Sequence, residues 1–369
     1  MAGTTVAAFV AALAWTSAVQ AQALGTGTLY FGGYSGHIVV LDEASEQVST
    51  KIPLSTGFPN SVLLSQDGTR LYSLSANRQK IEIVDVVSRK SIDNFTLNEA
   101  ATRLLVQGFA PDPAHKFLYV AGRATTKYRD YFGITTPTLY KYDLASHRIV
   151  QAVEWGQDYE PRFMTTMRLS PDGSLLYVFS DRVLVYQTSD LKRVAEHDMS
   201  RPIETGFGSV VLGSFDDVLD EPGFLTGIFT TEDPLQHRKQ LGVGRFDLAL
   251  QTVDFFTLGP LPDARSLDFA LAPDRKKAYM LVQQIGHYEF WTIDLVARRV
   301  GSRVEFQGRP RMSVRTSTNG KVIYIFGAGP TIDLYDPNGF KYLRTITIDT
   351  DMPYDTFHAI PPHTTPGRQ

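Results

Sequence analysis

The 369-residue chain contains no cysteine. That excludes disulfides, zinc–thiolate and iron–sulfur ligation, thioether-bound haem and a cysteine nucleophile in this chain. Charge of one sign is also missing. Against 36 basic residues stand 39 acidic ones, the formal net charge is −3, and no block of five like charges occurs. A nucleic-acid footprint would need a basic patch or stripe, which this balance does not supply. Long apolar runs are absent: Val6 to Ala14 is too short to span a bilayer, and no later segment is longer. No stretch carries a sustained helical period, which argues against βαβ units. The remaining composition is ordinary, with 43% apolar and 20% charged residues, enough for a sizeable core.

The N-terminus has the makings of a targeting segment. Val6 to Ala14 is followed by Thr16-Ser17-Ala18-Val19-Gln20-Ala21-Gln22-Ala23. Both Val19-x-Ala21 and Ala21-x-Ala23 fit the small-residue cleavage rule. The positive n-region is missing, because residues 1–50 hold no Lys or Arg. Residues 1–23 are read as a signal peptide and 24–369 as a single domain, which places the protein in the periplasm or outside the cell.

One pattern recurs along the chain. An alternating apolar strand ends in Asp or a near-equivalent, then a polar turn leads to another strand. The strands end at Asp42, Asp85, Asp143, Gln187, Asp247, Asp294 and Asp336, and six intervals cover the 294 residues from Asp42 to Asp336, a mean period of 49. A turn and a short Tyr-bearing strand precede most copies, as in Ser65-Gln66-Asp67-Gly68 before Leu71-Tyr72 and Ser170-Pro171-Asp172-Gly173 before Leu176-Tyr177. Asp-Gly favours tight hairpin turns because Gly accepts positive φ. Each unit therefore reads as four antiparallel strands, A to D; in the second they are 61–64, 70–75, 80–85 and 91–97. Four strands per 40–50 residues is a propeller blade, and a lone blade cannot bury both its faces. The expected fold is all-β, a seven-bladed β-propeller. The first unit lacks a strand A, and Tyr354 to Ile360 is expected to supply it, closing the ring and removing an open edge. In the fifth unit Phe215 to Gly223 replaces the usual turn, so six blades with a decorated connection is the alternative.

In this strand order the B–C loops and D–A links share one face. The long insertions fall there: Arg123 to Pro137, Thr231 to Leu241, Gln283 to Tyr288, and the links around Trp155 to Phe163 and Gln307 to Arg311. Function tends to sit on loops held by a rigid scaffold, and aromatic and Arg side chains favour interface hot spots. The candidate partner-binding residues are Tyr128, Arg129, Tyr131, Phe132, Trp155, Tyr159, Arg162, His237, Arg238, His287, Tyr288, Arg309 and Arg311. Catalytic signals are poor by contrast. The eight His residues show no i, i+4 metal spacing, Gly242-x-Gly244 lies within a strand pattern, and no phosphate loop or Gly-x-Ser-x-Gly occurs. The Asp residues that close strand C repeat with the blades and are expected to bond backbone donors of the turn that follows.

The repeats resemble the bacterial YVTN class of propeller, with Ser170-Pro171-Asp172-Gly173 leading into Leu175-Leu176-Tyr177-Val178 as the nearest copy. Within that class the chain is similar to the β subunit of quinohemoprotein amine dehydrogenase. The features are the aromatic insertion ending Thr135-Thr136-Pro137 before Leu139-Tyr140-Lys141-Tyr142, the run Met167 to Val178, and the close Tyr342-Leu343-Arg344-Thr345-Ile346-Thr347-Ile348 followed by Asp351-Met352. The resemblance covers roughly residues 26–360. It implies a periplasmic complex that oxidises primary amines, with haem on one partner subunit and a tryptophylquinone on another. This chain would carry neither cofactor and would not be catalytic alone. It would supply a docking face and part of a pocket wall. Two other readings stay open: an orphan propeller binding a cell-envelope protein or glycan, and a lactonase-type hydrolase using the central channel.

Overall fold

Seven antiparallel sheets form in sequence order, in a computed structural model that describes residues 25–155, 165–202, 207–216, 218–353 and 356–362. Blade 1 contains β1 (Thr28–Gly33), β2 (His37–Asp42) and β3 (Gln47–Pro53), and blade 2 contains β4 (Pro59–Leu64), β5 (Arg70–Ser75), β6 (Lys80–Asp85) and β7 (Lys90–Thr96). Blade 3 contains β8 (Thr102–Pro111), β9 (Phe117–Lys127), the short β10 (Phe132–Ile134), β11 (Thr138–Asp143) and β12 (Arg148–Glu154). Blade 4 follows with β13 (Thr166–Leu169), β14 (Leu175–Phe179), β15 (Arg182–Gln187) and β16 (Arg193–Asp198). Blade 5 has β17 (Val210–Asp216), β18 (Phe224–Glu232), β19 (Lys239–Asp247) and β20 (Thr252–Pro260). Blade 6 has β21 (Ser266–Leu271), β22 (Lys277–Gln284), β23 (His287–Asp294) and β24 (Arg299–Phe306). Blade 7 has β25 (Ser313–Thr316), β26 (Ile323–Phe326), β27 (Gly329–Asp336) and β28 (Lys341–Met352). The fold is thus the expected seven-bladed propeller. The fifth unit is a full blade despite its unusual turn, with a register irregularity between Leu212 and Phe215.

The chain ends join in one sheet, as expected, through the last three residues of the expected Tyr354 to Ile360 segment, whose residues 354 and 355 lie outside the described residues. β29 (His358–Ile360) pairs antiparallel with β1, matching Thr28 to Ile360 and Tyr30 to His358, and serves as strand A of blade 1. Glu43, 1% exposed, clamps the seam. Its carboxylate accepts the N–H groups of Gly27 at 2.8 Å, Thr26 at 3.1 Å and Thr318 at 3.1 Å, the Tyr324 hydroxyl at 3.0 Å, and the Thr318 hydroxyl. Thr318 and Tyr324 belong to blade 7, so one carboxylate ties the first blade to the last.

The blades stack through the period-two pattern of their strands. On β14, Leu176 and Val178 pack toward blade 3, while Tyr177 and Phe179 pack toward blade 5. Seven apolar clusters result, each lying between adjacent blades. Fully burying one such side chain contributes about 1.5–3 kcal/mol, so most of the stabilisation lies between blades rather than within one sheet. The recurring strand-B tyrosine adds a polar pin. Tyr30 donates to the Val86 carbonyl at 3.0 Å and Tyr177 to the Leu248 carbonyl at 2.7 Å, each just past strand C of the next blade.

The strand-C aspartates are turn chemistry. Asp42, Asp85 and Asp143 accept the N–H of Ser45, Ser88 and Ser146, and Asp247 accepts those of Ala249 and Leu250. Four residues after each strand C the backbone turns left-handed, at Glu46, Arg89, His147, Leu191, Gln251, Arg298 and Phe340 (φ 52° to 57°). None of these is glycine, so each holds a conformation that costs an L-residue about 1–2 kcal/mol. The A–B turns behave similarly. Gly68, Gly173 and Gly320 take φ near 70°, while His115 and Arg275 take φ 54° in the copies that lack glycine.

Candidate functional site

Alternating antiparallel strands put the B–C hairpins and D–A links on one face. Three of the expected loops are lengthened hairpins, because their backbone groups find ladder partners. β9 continues to Lys127 and pairs with β10, matching Thr125 with Ile134. β18 and β19 run on to Glu232 and Lys239, and β22 and β23 leave only Ile285-Gly286 as a turn. Paired strands present their tips with less freedom than loops of that length would have.

The tip of blade 3 is the most apolar. The Tyr128 N–H closes on the Tyr131 carbonyl at 2.9 Å, and the two rings stack with centroids 4.7 Å apart. Gly133 makes this possible, since a Cβ there would lie 2.9 Å from the Tyr128 ring. Tyr131 is 63% exposed, and Phe132 and Ile134 are equally open. Arg129 reaches into solvent beside Asp130, 3.9 Å away. Tyr34 and Phe58 add a second aromatic pair on this face, with centroids 5.2 Å apart.

The other expected residues are spread around the ring. His237 and Arg238 sit at the blade 5 tip, beside Leu235, which is 90% exposed, and His237 Nδ1 lies 3.6 Å from Glu232. His287 bonds Glu289 at 2.8 Å and Glu305 at 3.2 Å, and these carboxylates, Glu289 foremost, raise its pKa above the ordinary 6.5. Tyr288 is buried, with Arg311 lining the same cleft, and Arg309 donates to the Thr331 hydroxyl at 3.2 Å. Trp155, 5% exposed, lies instead in the core between blades 3 and 4, where the apolar packing outweighs exposure for so large a ring. Tyr159 and Arg162 lie outside the described residues, as does the segment 1–23. Sequence reasoning missed Tyr34, Phe58 and Arg265. Tyr34 could have been found as an aromatic in a Gly33-to-Gly36 turn; the other two sit in links without a motif.

The central channel opens on the opposite face in a cavity of about 350 Å³ that includes Gln66, Asp67, Arg168, Asp220 and Glu221. Most of these groups are committed to the scaffold. The Gln66 amide donates across the mouth to the Leu169 carbonyl at 2.8 Å, and Glu221 meets Arg245 at 2.9 Å and Arg275 at 3.4 Å. Asp67 accepts from Ser65 and Thr69 and bonds His115 at 2.9 Å. Burial pushes the Asp220 carboxyl up, partly offset by the Thr226 hydroxyl and the Glu221 N–H. Among the described residues no group of three or more His, Asp or Glu is placed to hold a metal ion, and no helix is long and apolar enough to cross a membrane.

No family model and no curated protein sequence matches the chain. Solved structures do. Hydrazine synthase from Kuenenia stuttgartiensis matches with a TM-score of 0.51 at 16% identity, over 89% of this chain and 94% of that one. Apo AztD from Citrobacter koseri matches with 0.51 at 12% identity, over 90% and 96%. A functionally unknown protein from Desulfotomaculum acetoxidans matches with 0.55 at 10% identity, over 91% and 99%. At these identities the likeness establishes the propeller fold, and a fold of this kind hosts many functions.

Proposed function

We propose that the chain is an exported, non-catalytic propeller that docks a protein partner on its B–C and D–A face. One observation carries the reading. Of the six exposed aromatic side chains among the described residues, Tyr34, Phe58, Tyr128, Tyr131 and Phe132 lie on that face, and Tyr342 lies elsewhere. Exposed aromatic rings are costly to leave in water and are the side chains that interfaces use as anchors. The stacked Tyr128–Tyr131 pair, on a paired hairpin, loses little freedom on binding.

In its finer form the partner is a haem-bearing subunit, with a small quinone-bearing subunit, in a periplasmic amine-oxidising complex. The resemblance of the blade 3 insertion and of the Met167 to Val178 run supports that form. Residues 1–23 act as a signal peptide in this reading, and Edman sequencing of the mature protein starting at Gln22 or Leu24 would support it.

The docking face is tested by photo-crosslinking in the native host. Benzoylphenylalanine placed at Tyr131 is expected to give a discrete crosslinked band, and the same group at Val296, on the opposite face, is expected to give none. Bands of equal strength at both positions, or none at Tyr131, would remove the docking face.

A further inference from the structure

Blades 6 and 7 leave a cleft of about 320 Å³ on the B–C and D–A face, which includes Arg265, Gln283, Ile285, Tyr288 and Arg311. The two arginines come from successive blade links, just before β21 and just before β25. Among the described residues neither guanidinium has an ion-pair or hydrogen-bond partner, and no acidic side chain lines the cleft. Of the carboxylates nearby, Asp268 accepts from Ser214, the Val314 N–H and Arg315, and Glu289 and Glu305 hold His287; Asp263, in the same link as Arg265, is exposed and does not line the cleft.

The floor is built rather than accidental. Gln283, 4% exposed, bonds the Met312 backbone in both directions, donating to its carbonyl at 2.8 Å and accepting its N–H at 2.7 Å. That fixes the residue next to Arg311. The Tyr288 ring packs on Gly308, where a Cβ would lie 2.7 Å from the ring, and its hydroxyl makes no hydrogen bond among the described residues. Arg309 stands in the same link as Arg311, outside the cleft lining, and donates to the Thr331 hydroxyl.

We propose that this cleft binds a carboxylate. Two unpaired guanidiniums present forked donors that match a planar two-oxygen anion. The Tyr288 hydroxyl offers a further donor. The Ile285 side chain and the Tyr288 ring give an apolar wall for the carbon stem that carries the carboxylate. The volume suits a ligand of small-molecule size or a single side chain. The carboxylate can come from a free small acid or from an acidic segment of a protein; the recognition chemistry is the same.

The test is calorimetric titration of the purified chain with two probes, tricarballylate and an acetylated, amidated hexaglutamate peptide. At least one is expected to bind the unaltered chain, more weakly as salt rises. The Arg265→Gln/Arg311→Gln variant is expected to lose tenfold or more in affinity, and Tyr288→Phe severalfold, with melting temperatures unchanged. Binding of tricarballylate alone identifies a free acid; binding of the peptide alone identifies a protein segment. The Tyr131→Ser/Phe132→Ser variant is expected to bind both probes as before, so this site stands or falls apart from the docking hairpin. No binding of either probe tighter than about 1 mM, or equal binding by the double arginine variant, would overturn the proposal.

Discussion

Glu43→Gln isolates what ring closure is worth. The substitution keeps the side-chain shape, but an amide offers one acceptor oxygen where the carboxylate offers two. If that oxygen serves Tyr324 and the Thr318 N–H, the new NH₂ group faces the N–H groups of Thr26 and Gly27, donor against donor, while the Thr318 hydroxyl can turn to accept from it. Two bonds to a buried charge are lost, at about 1.5 kcal/mol each, for a total of about 3 kcal/mol. The entropy of unfolding for a domain of this length is about 0.7 kcal/mol/K, which converts the loss to a fall in Tm of about 4 °C. Tyr324→Phe removes only the 3.0 Å hydroxyl bond and should cost about 1–2 kcal/mol. The double variant should fall short of the sum, because Glu43→Gln already weakens the bond that Tyr324→Phe removes, turning its acceptor from a charged oxygen into a neutral amide oxygen. Differential scanning calorimetry of the four proteins measures the cycle. A Glu43→Gln shift below about 1 °C, or strict additivity, would refute the argument that this carboxylate holds the seam.

Tyr177→Phe should cost about 1 kcal/mol in chemical denaturation, since the Leu248 carbonyl loses its pin while the ring packing stays. Gln251→Gly should stabilise by about 0.5–1 kcal/mol by relieving φ 57°, and Asp247→Ala should destabilise by about 1–2 kcal/mol by uncapping the same turn. Asp220→Asn should raise Tm at pH 7.5 and raise it less at pH 4.5. Burial lifts the folded pKa of Asp220 above its unfolded value, so its stability cost is absent at low pH and grows as pH rises through the carboxylate range. An equal shift at both pH values in scanning fluorimetry would mean that the carboxyl is not held up by burial.

The blade count and the ring closure were legible because each rests on local, repeated chemistry. Asp42, Asp85 and Asp143 cap their turns wherever they occur, and β29 is the alternating strand that blade 1 lacked. The job of the repeated tyrosines was not legible. Tyr30 and Tyr177 read as strand residues, and their hydroxyl partners lie in the next blade, 56 and 71 residues away. Insertion lengths located the functional face, but not whether an insertion would pair. The extra residues at Thr125 to Ile134 extend a hairpin, because unpaired backbone donors next to a strand edge are better satisfied by it. Trp155 was misleading for a related reason: a link residue with a large ring is drawn into the nearest inter-blade core. Arg265 and Arg311 meet only because successive blades place their links side by side, a juxtaposition without a sequence spacing of its own.

The docking claim is tested most directly by purifying the tagged protein from its native host under mild conditions, with mass spectrometry, a haem stain and a quinone stain. The account predicts co-purification with a haem protein and a small quinone-bearing chain, lost in the Tyr131→Ser/Phe132→Ser variant. Recovery of the chain alone, without haem and without a stoichiometric partner, would contradict it.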